Sequence, residues 1–126
     1  MTRSAAVVAA VLAAVGLGAS ASRAAAASDL EYYTGETLYQ QCSARAGEAR
    51  YAADSLRCAG YVLGVSDAQQ ARQGAGAPGR VCLPASASAT QVVATVGAYL
   101  AAHPEKRPLA AQDLVLEALT ATYPCR

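Results

Sequence analysis

The chain has 126 residues, with ten Lys and Arg against nine Asp and Glu and a single histidine, for a formal net charge of +1 at pH 7. Because like charges form no block along the chain, nucleic acid and anionic membrane surfaces are poor candidate partners. Four cysteines in so short a chain point instead to disulfides or to a metal site.

Residues 1–27 have the pattern of a secretory signal peptide. Arg3 gives a basic start, residues 5–15 are an unbroken run of Ala, Val and Leu, and small residues follow. This run is shorter than the ~20 residues that a membrane-spanning helix needs. We place cleavage after Ala27, with Ala21 as the second choice. An exported domain at 28–126 is therefore predicted, with eight basic and nine acidic side chains and no membrane anchor after cleavage.

The predicted mature domain has a thin core that needs covalent support. It contains ten Leu, seven Val and seven Tyr but no Ile, Phe, Trp or Met, and a domain of this size has little stability to spare. In an exported chain, paired thiols persist. Zinc is the alternative, but no spacing between the cysteines matches the short step of a metal knuckle. We predict that all four form structural disulfides: Cys42, Cys58, Cys82 and Cys125.

Apolar periodicity predicts two helices in the first half of the domain, near 35–46 and near 54–72. Gly60 and Gly64 are four apart on the second helix, so we expect them to let a neighbouring helix approach closely. The positions that indicate the buried faces are Leu38, Cys42, Ala46, Cys58, Tyr61, Val62, Val65, Ser66 and Ala68.

Two more helices are predicted in the second half. Ser88 and Gln91 have the spacing of a capping box, and Pro104 disfavours helical geometry in the residue before it, so the third helix stops near 103. Pro108 stands where a first-turn proline is tolerated, and Pro124 ends the fourth helix. The buried stripes are Val92, Val93, Val96 and Leu100, then Ala111, Leu114, Val115, Ala118, Leu119 and Thr122.

Four helices and mostly short connections predict an all-α, up-down-up-down domain. Antiparallel packing would bring Cys42 and Cys58 to one end and Cys82 and Cys125 to the other. Crossed pairings would have to span most of a helix, whereas a disulfide tolerates Cα separations of only about 4.4–6.8 Å. We therefore predict the bonds Cys42–Cys58 and Cys82–Cys125.

The residues mark no catalytic, cofactor or metal site. His103 is the only histidine, and it precedes a helix-breaking proline with no nucleophile or orienting carboxylate marked beside it. Paired cysteines are not nucleophiles. The glycine-rich stretch 74–79 follows a helix instead of a strand, and Pro78 lacks a backbone donor, so it is a loop and not a phosphate cradle. We expect the chain to work by binding, without enzymatic activity.

Several stretches resemble the Rap/Tai immunity proteins of type VI secretion. The first runs from Cys58 to Gly64 as CAGYVLG, and Cys82-Leu83-Pro84 is followed by Gln91. The most specific stretch, YLAAHPEKR at 99–107, continues into Ala111, Leu114, Val115, Ala118, Leu119 and Tyr123-Pro124-Cys125. The resemblance implies a helical, periplasmic protein of a Gram-negative host, commonly a homodimer. Such a protein binds and blocks a peptidoglycan amidase injected by a competitor.

Two surfaces are candidates for binding the partner. The predicted topology places the first and third connections at one end, which would bring Glu48 and Arg50 near a polar cluster formed by His103, Glu105, Lys106 and Arg107. The glycine-rich loop that ends at Arg80 is the second candidate. Ordinary solvated charges are the simpler interpretation of the polar cluster, and the longer glycine-rich loop would lose more conformational entropy on binding. At the level of function, a periplasmic acid-stress chaperone of the HdeA type is the alternative, and an enzyme ranks third.

Overall fold

The computed structural model describes residues 33–126, and the predicted leader lies outside the described residues. This part of the chain is all-α, as predicted. It contains α1 at Gly35–Cys42, α2 at Tyr51–Gly74, α3 at Ala89–Ala102 and α4 at Ala111–Thr122, with a short 3-10 helix at Pro104–Lys106. None of these helices is long and apolar enough to cross a membrane.

The start of α3 is set by the predicted capping box. Ser88 Oγ accepts a hydrogen bond from the Gln91 amide, and Gln91 Oε1 accepts one from the Ser88 amide at 2.8 Å. The helix ends at Ala102, directly before His103 and Pro104. Because both signals are local, the sequence alone suffices to place this helix.

The other helix boundaries depart from prediction. Helix α1 ends at Cys42 instead of 46, because Ser43 Oγ donates to the Tyr39 carbonyl at 2.7 Å and the chain then turns through Gly47, whose φ is +98°. Helix α2 begins three residues early, at Tyr51. Pro108 was expected in the first turn of the fourth helix, and that was wrong: α4 begins only at Ala111.

The core lies where the four helices meet. Most predicted positions are buried, but Ala46, Ala68 and Thr122 are exposed. The expectation for Gly60 and Gly64 was also wrong within the described chain, because a Cβ placed on either would meet none of its atoms within 4 Å. The buried apolar side chains are Leu38, Cys58, Val62, Val81, Val92, Val96, Leu100, Ala111, Leu114, Val115, Ala118 and Leu119.

Both disulfides form as predicted. Cys42 bonds to Cys58 with a Cα separation of 5.0 Å, and Cys82 bonds to Cys125 with a separation of 4.9 Å. The second bond is reinforced by an isolated bridge between Val81 and Pro124. The first links α1 to α2, and the second fastens the connection between α2 and α3 to the end of α4.

Candidate partner-binding surface

The segment between α3 and α4, residues 103–109, forms a compact hydrogen-bonded connection, which we call the 3–4 knob. Its own turns are closed by three backbone hydrogen bonds, from Lys106 to the His103 carbonyl at 3.1 Å, from Arg107 to the Pro104 carbonyl at 3.3 Å and from Leu109 to the Lys106 carbonyl at 2.9 Å. Two amides of α1 also donate into it. Gly35 bonds the Leu109 carbonyl at 2.8 Å, and Glu36 bonds the Arg107 carbonyl at 2.7 Å. The backbone of the knob is therefore fixed from two sides.

Gly35 allows α1 to approach the knob this closely. A Cβ at this position would lie 2.3 Å from Leu114 Cδ1 and 3.0 Å from the Arg107 carbonyl oxygen. The second contact is with backbone, which cannot move aside as a side chain does. Glycine is required here by close packing, since its φ is not positive.

Arg107 holds the knob from within. Its Nε donates to the Leu100 carbonyl at 2.8 Å and its Nη2 donates to the Ala101 carbonyl at 3.3 Å, so it satisfies carbonyls at the end of α3. The guanidinium also lies over the Tyr39 ring, 3.4 Å from the centroid. Its side chain is only 15% exposed. Arg107 therefore serves the fold, and it is poorly placed to bind a partner.

Lys106 is held by α3 and α4. Its ammonium donates to the Tyr99 hydroxyl at 2.9 Å and to the Glu117 carboxylate. The bond to Glu117, followed by the bond to Tyr99, raises the pKa of Lys106, and the bond from Lys106 lowers the pKa of Glu117. With 32% of its side chain exposed, Lys106 lies at the rim of the knob.

Besides its two exposed prolines, the knob leaves three side chains to face a partner. Glu105 is 64% exposed, Leu109 is 54% exposed and His103 is 38% exposed. His103 Nδ1 lies 3.2 Å from Glu105 Oε1, and its ring packs against Tyr99 with centroids 4.3 Å apart. A backbone hydrogen bond at Glu105, followed by the one to His103, lowers the pKa of the Glu105 carboxyl. The knob thus presents a carboxylate beside an exposed leucine.

Two charged side chains of the connection between α1 and α2, Glu48 and Arg50, bond to residues that are near them in the chain. Glu48 Oε2 accepts from the Arg45 amide at 3.0 Å, and Arg50 pairs with Asp54 at 3.4 Å. Within residues 33–126, neither Glu48 nor Arg50 has a hydrogen bond or ion pair with the 3–4 knob. The polar contacts around residues 103–107 therefore involve α1, α3 and α4 only.

Arg80 lies at the other end of α4 from the knob. It precedes Val81, which is buried and bridged to Pro124, and Cys82, which is bonded to Cys125. Twelve residues of α4, about 18 Å of helix, separate this end from the start of α4. Arg80 is exposed and makes no hydrogen bond or ion pair with any described residue. The structure thus does not bring Arg80 together with the other candidate residues.

The exposed leucine of the knob was missed in the sequence. Leu109 falls two residues before the apolar stripe of α4, between Pro108 and Ala110, where its exposure could have been inferred. The reason it is exposed is tertiary, because the start of α1 occupies the inner side of the segment. No group of His, Cys, Asp and Glu among the described residues could hold a metal ion.

A family model described as Rap1a immunity proteins matches residues 34–125, which is most of the chain and all four helices. The chain belongs to the Rap1a immunity protein family. Members of the Rap1a family are immunity proteins, so the chain is assigned a role that depends on binding a protein partner, the effector. No curated protein and no solved structure matches the chain.

Proposed function

We propose that this Rap1a family protein is exported to the periplasm and inhibits a peptidoglycan amidase delivered by type VI secretion. Residues 1–27 have the composition of an export leader, and both disulfides suit an oxidising compartment. The family match supports an immunity role, and the resemblance of residues 99–107 to Rap/Tai proteins supports the amidase as target.

The observation that carries this proposal is the fixed backbone of the 3–4 knob. Hydrogen bonds from Gly35, Glu36 and Arg107 hold it before any partner arrives. A loop that is already ordered loses little conformational entropy on binding, and that loss is a major cost of association. A pre-ordered loop with exposed side chains is suited to entering the active-site cleft of an enzyme.

The exposed groups of the knob have complementary roles in such a complex. Leu109 supplies an apolar anchor, and Glu105 supplies a carboxylate that accepts hydrogen bonds from donors in the cleft. His103 lies beside Glu105 and donates or accepts according to its tautomer. Lys106 and Arg107 support these groups from behind. The inhibitor then acts by stoichiometric occlusion, with no chemistry of its own.

We also propose that the protein is a homodimer. The domain has a small core of Leu and Val and exposes much alanine, and the Rap/Tai resemblance implies a second copy. Dimerisation would bury apolar surface that a single copy leaves in water.

The proposal is tested by challenging bacteria with an amidase that is directed to the periplasm. The candidate enzymes are peptidoglycan amidases, taken from a neighbouring gene where one encodes such an enzyme. Co-expression of the full-length protein should protect the cells from lysis, and the purified protein should inhibit peptidoglycan hydrolysis at a one-to-one molar ratio of chains. A variant that lacks residues 1–27 is the matched control. It should inhibit in vitro once oxidised but leave the cells unprotected.

Two results would contradict the proposal. Normal hydrolysis in the presence of excess oxidised protein would exclude amidase inhibition. Protection by the leaderless control, equal to that by the full-length protein, would place the action outside the periplasm.

A further inference from the structure

Helix α2 has a face that no other described part of the chain covers. Val62 is fully buried and marks the inner side of α2. Because one helical turn takes 3.6 residues, Gly60 and Gly64 both lie close to the opposite, outer side of the helix. A Cβ at either glycine would meet nothing within 4 Å. On the same face Leu56 is 74% exposed, the most exposed large apolar side chain in the described chain.

The face is composed of small and apolar residues with one charge of each sign. Between two charged positions, Arg57 and Asp67, lie the two glycines. Shallow apolar grooves flank the helix on both sides, one towards Leu116 of α4 and one towards Val93 of α3. The outward residues, which we call the α2 face, are Ala53, Leu56, Arg57, Gly60, Gly64, Asp67, Ala68 and Ala71.

The α2 face is complementary to a second copy of itself that runs in the opposite direction and is aligned at Val62. If a second α2 packs antiparallel with its twofold axis at the level of Val62, Gly60 of one copy lies level with Gly64 of the other. The same symmetry brings Arg57 level with Asp67, twice. Leu56 then lies level with Ala68, where the small side chain leaves room for it. A parallel arrangement would instead place Arg57 beside Arg57 and Asp67 beside Asp67.

The charges are available for this pairing. Arg57 contacts Asp54 of its own helix at 3.2 Å but remains 54% exposed, so a second carboxylate has access to it. The Asp67 side chain is exposed and makes no hydrogen bond or ion pair with any described residue. A twofold axis makes the Arg57–Asp67 pair occur twice, at equal distances from one centre.

We infer that the α2 face is the surface through which two copies of this chain associate, antiparallel and centred on Gly60 and Gly64. The inference rests on the proposed homodimer and goes beyond it by assigning the surface and its register. Close approach of the two helices at the glycines brings their backbones together and buries Leu56 of both copies.

The test uses protein purified from the periplasm and sedimentation equilibrium over a range of concentrations. The double variant Gly60→Leu with Gly64→Leu should weaken dimerisation at least about tenfold, because the added side chains hold the helices apart. At concentrations where both proteins are monomeric, the same variant should unfold at a higher temperature, since glycine is unfavourable inside a helix and the new side chains meet nothing in the monomer. Ala98→Leu with Ala121→Leu adds similar bulk at exposed positions off the face and should leave dimerisation unchanged.

A charge exchange tests the register. Asp67→Arg should weaken the dimer, and adding Arg57→Asp to it should restore much of the loss. Unchanged dimerisation by the glycine variant would overturn the inference and leave the homodimer standing. A wild-type monomer at about 50 µM would overturn both the homodimer and the inference, while inhibition of the amidase would be unaffected. Loss of amidase binding with an intact dimer would show that the face takes the effector, which also overturns the inference.

Discussion

Two connections of this protein carry the candidate binding residues, and they are built in opposite ways. The 3–4 knob is tied by backbone and side-chain hydrogen bonds to α1, α3 and α4, and its two cations are used in those ties. The connection between α2 and α3 turns through Gly76, whose φ is +94°. In this connection the Arg80 side chain has no hydrogen bond or ion pair with any described residue.

The ordered connection has its two cations occupied by the fold, whereas the other connection leaves its charge available to a partner. Arg107 and Lys106 were the obvious charges for a partner, yet the fold uses both, and the knob is ordered because it does so. Arg80 is available, but no contact holds its side chain in place, so a partner that engages it must order that side chain at a cost in entropy. A pre-ordered surface of modest charge is the better inhibitor under this reasoning.

The largest expected effect comes from the disulfide that anchors the α2–α3 connection. Replacing Cys82 and Cys125 with Ser removes a cross-link between positions 43 residues apart. On the chain-entropy model this should lower the free energy of unfolding by about 4 kcal/mol. The same change at Cys42 and Cys58 opens 16 residues and should cost about 3 kcal/mol. Urea unfolding of both variants measures the two values. A smaller loss at Cys82 and Cys125 would show that this connection is ordered without its disulfide.

The next effect concerns the internal support of the knob. Arg107→Ala removes two hydrogen bonds to α3 carbonyls and the contact with Tyr39, and should lower the free energy of unfolding by about 2–4 kcal/mol. Arg80→Ala is the matched control and should change stability by less than about 0.5 kcal/mol. Equal thermal midpoints for the two variants would mean that Arg107 does not support the fold.

A third comparison uses the two most exposed leucines. Leu109→Ala should weaken binding of the amidase by about 10-fold to 30-fold, because an apolar anchor in a cleft contributes about 1.5–2 kcal/mol. Leu56→Ala is the control, since Leu56 is 74% exposed but lies on α2. Calorimetric titration measures both affinities. The assignment of Leu109 would be withdrawn if the two variants bound equally well.

The smallest expected effect is a pH dependence of the protein's stability, from the pair of Lys106 and Glu117 at the side of the knob. The bond from Lys106 lowers the folded-state pKa of Glu117, so this pair stabilises the protein above the ordinary glutamate pKa of about 4.3. That stabilisation is lost as pH falls through the lowered pKa. Glu117→Gln should therefore be slightly less stable than the wild type at pH 7, and the difference should be smaller at a pH below the ordinary glutamate pKa. A thermal-melting difference that is the same at both pH values would contradict this sign.

Sequence reasoning succeeded where the signal was local or topological. Ser88 and Gln91 place the start of α3 because the capping box uses only neighbouring groups. The disulfide pairing followed from helix lengths and antiparallel order, which restrict the distances between cysteines. The buried stripe of α4 also followed from its period, except at Thr122, where the helix ends.

What the sequence could not supply depends on contacts between distant segments. The role of Arg107 requires Tyr39 and Leu100, which are 68 and seven positions away in the chain. Gly60 and Gly64 predicted helix packing, but only the fold reveals that they face outward. Gly35 was unremarkable in the sequence, yet the close packing of α1 against the knob requires it.

Inhibition of the amidase by two variants, one altered in each connection, tests the central claim most directly. The knob variant carries Glu105→Arg with Leu109→Ala, and the α2–α3 variant carries Arg80→Glu. We predict that the knob variant raises the inhibition constant at least about 100-fold with its fold intact, and that the Arg80 variant stays within about threefold of the wild type. The reverse order, with the Arg80 variant inactive and the knob variant fully inhibitory, would contradict the account.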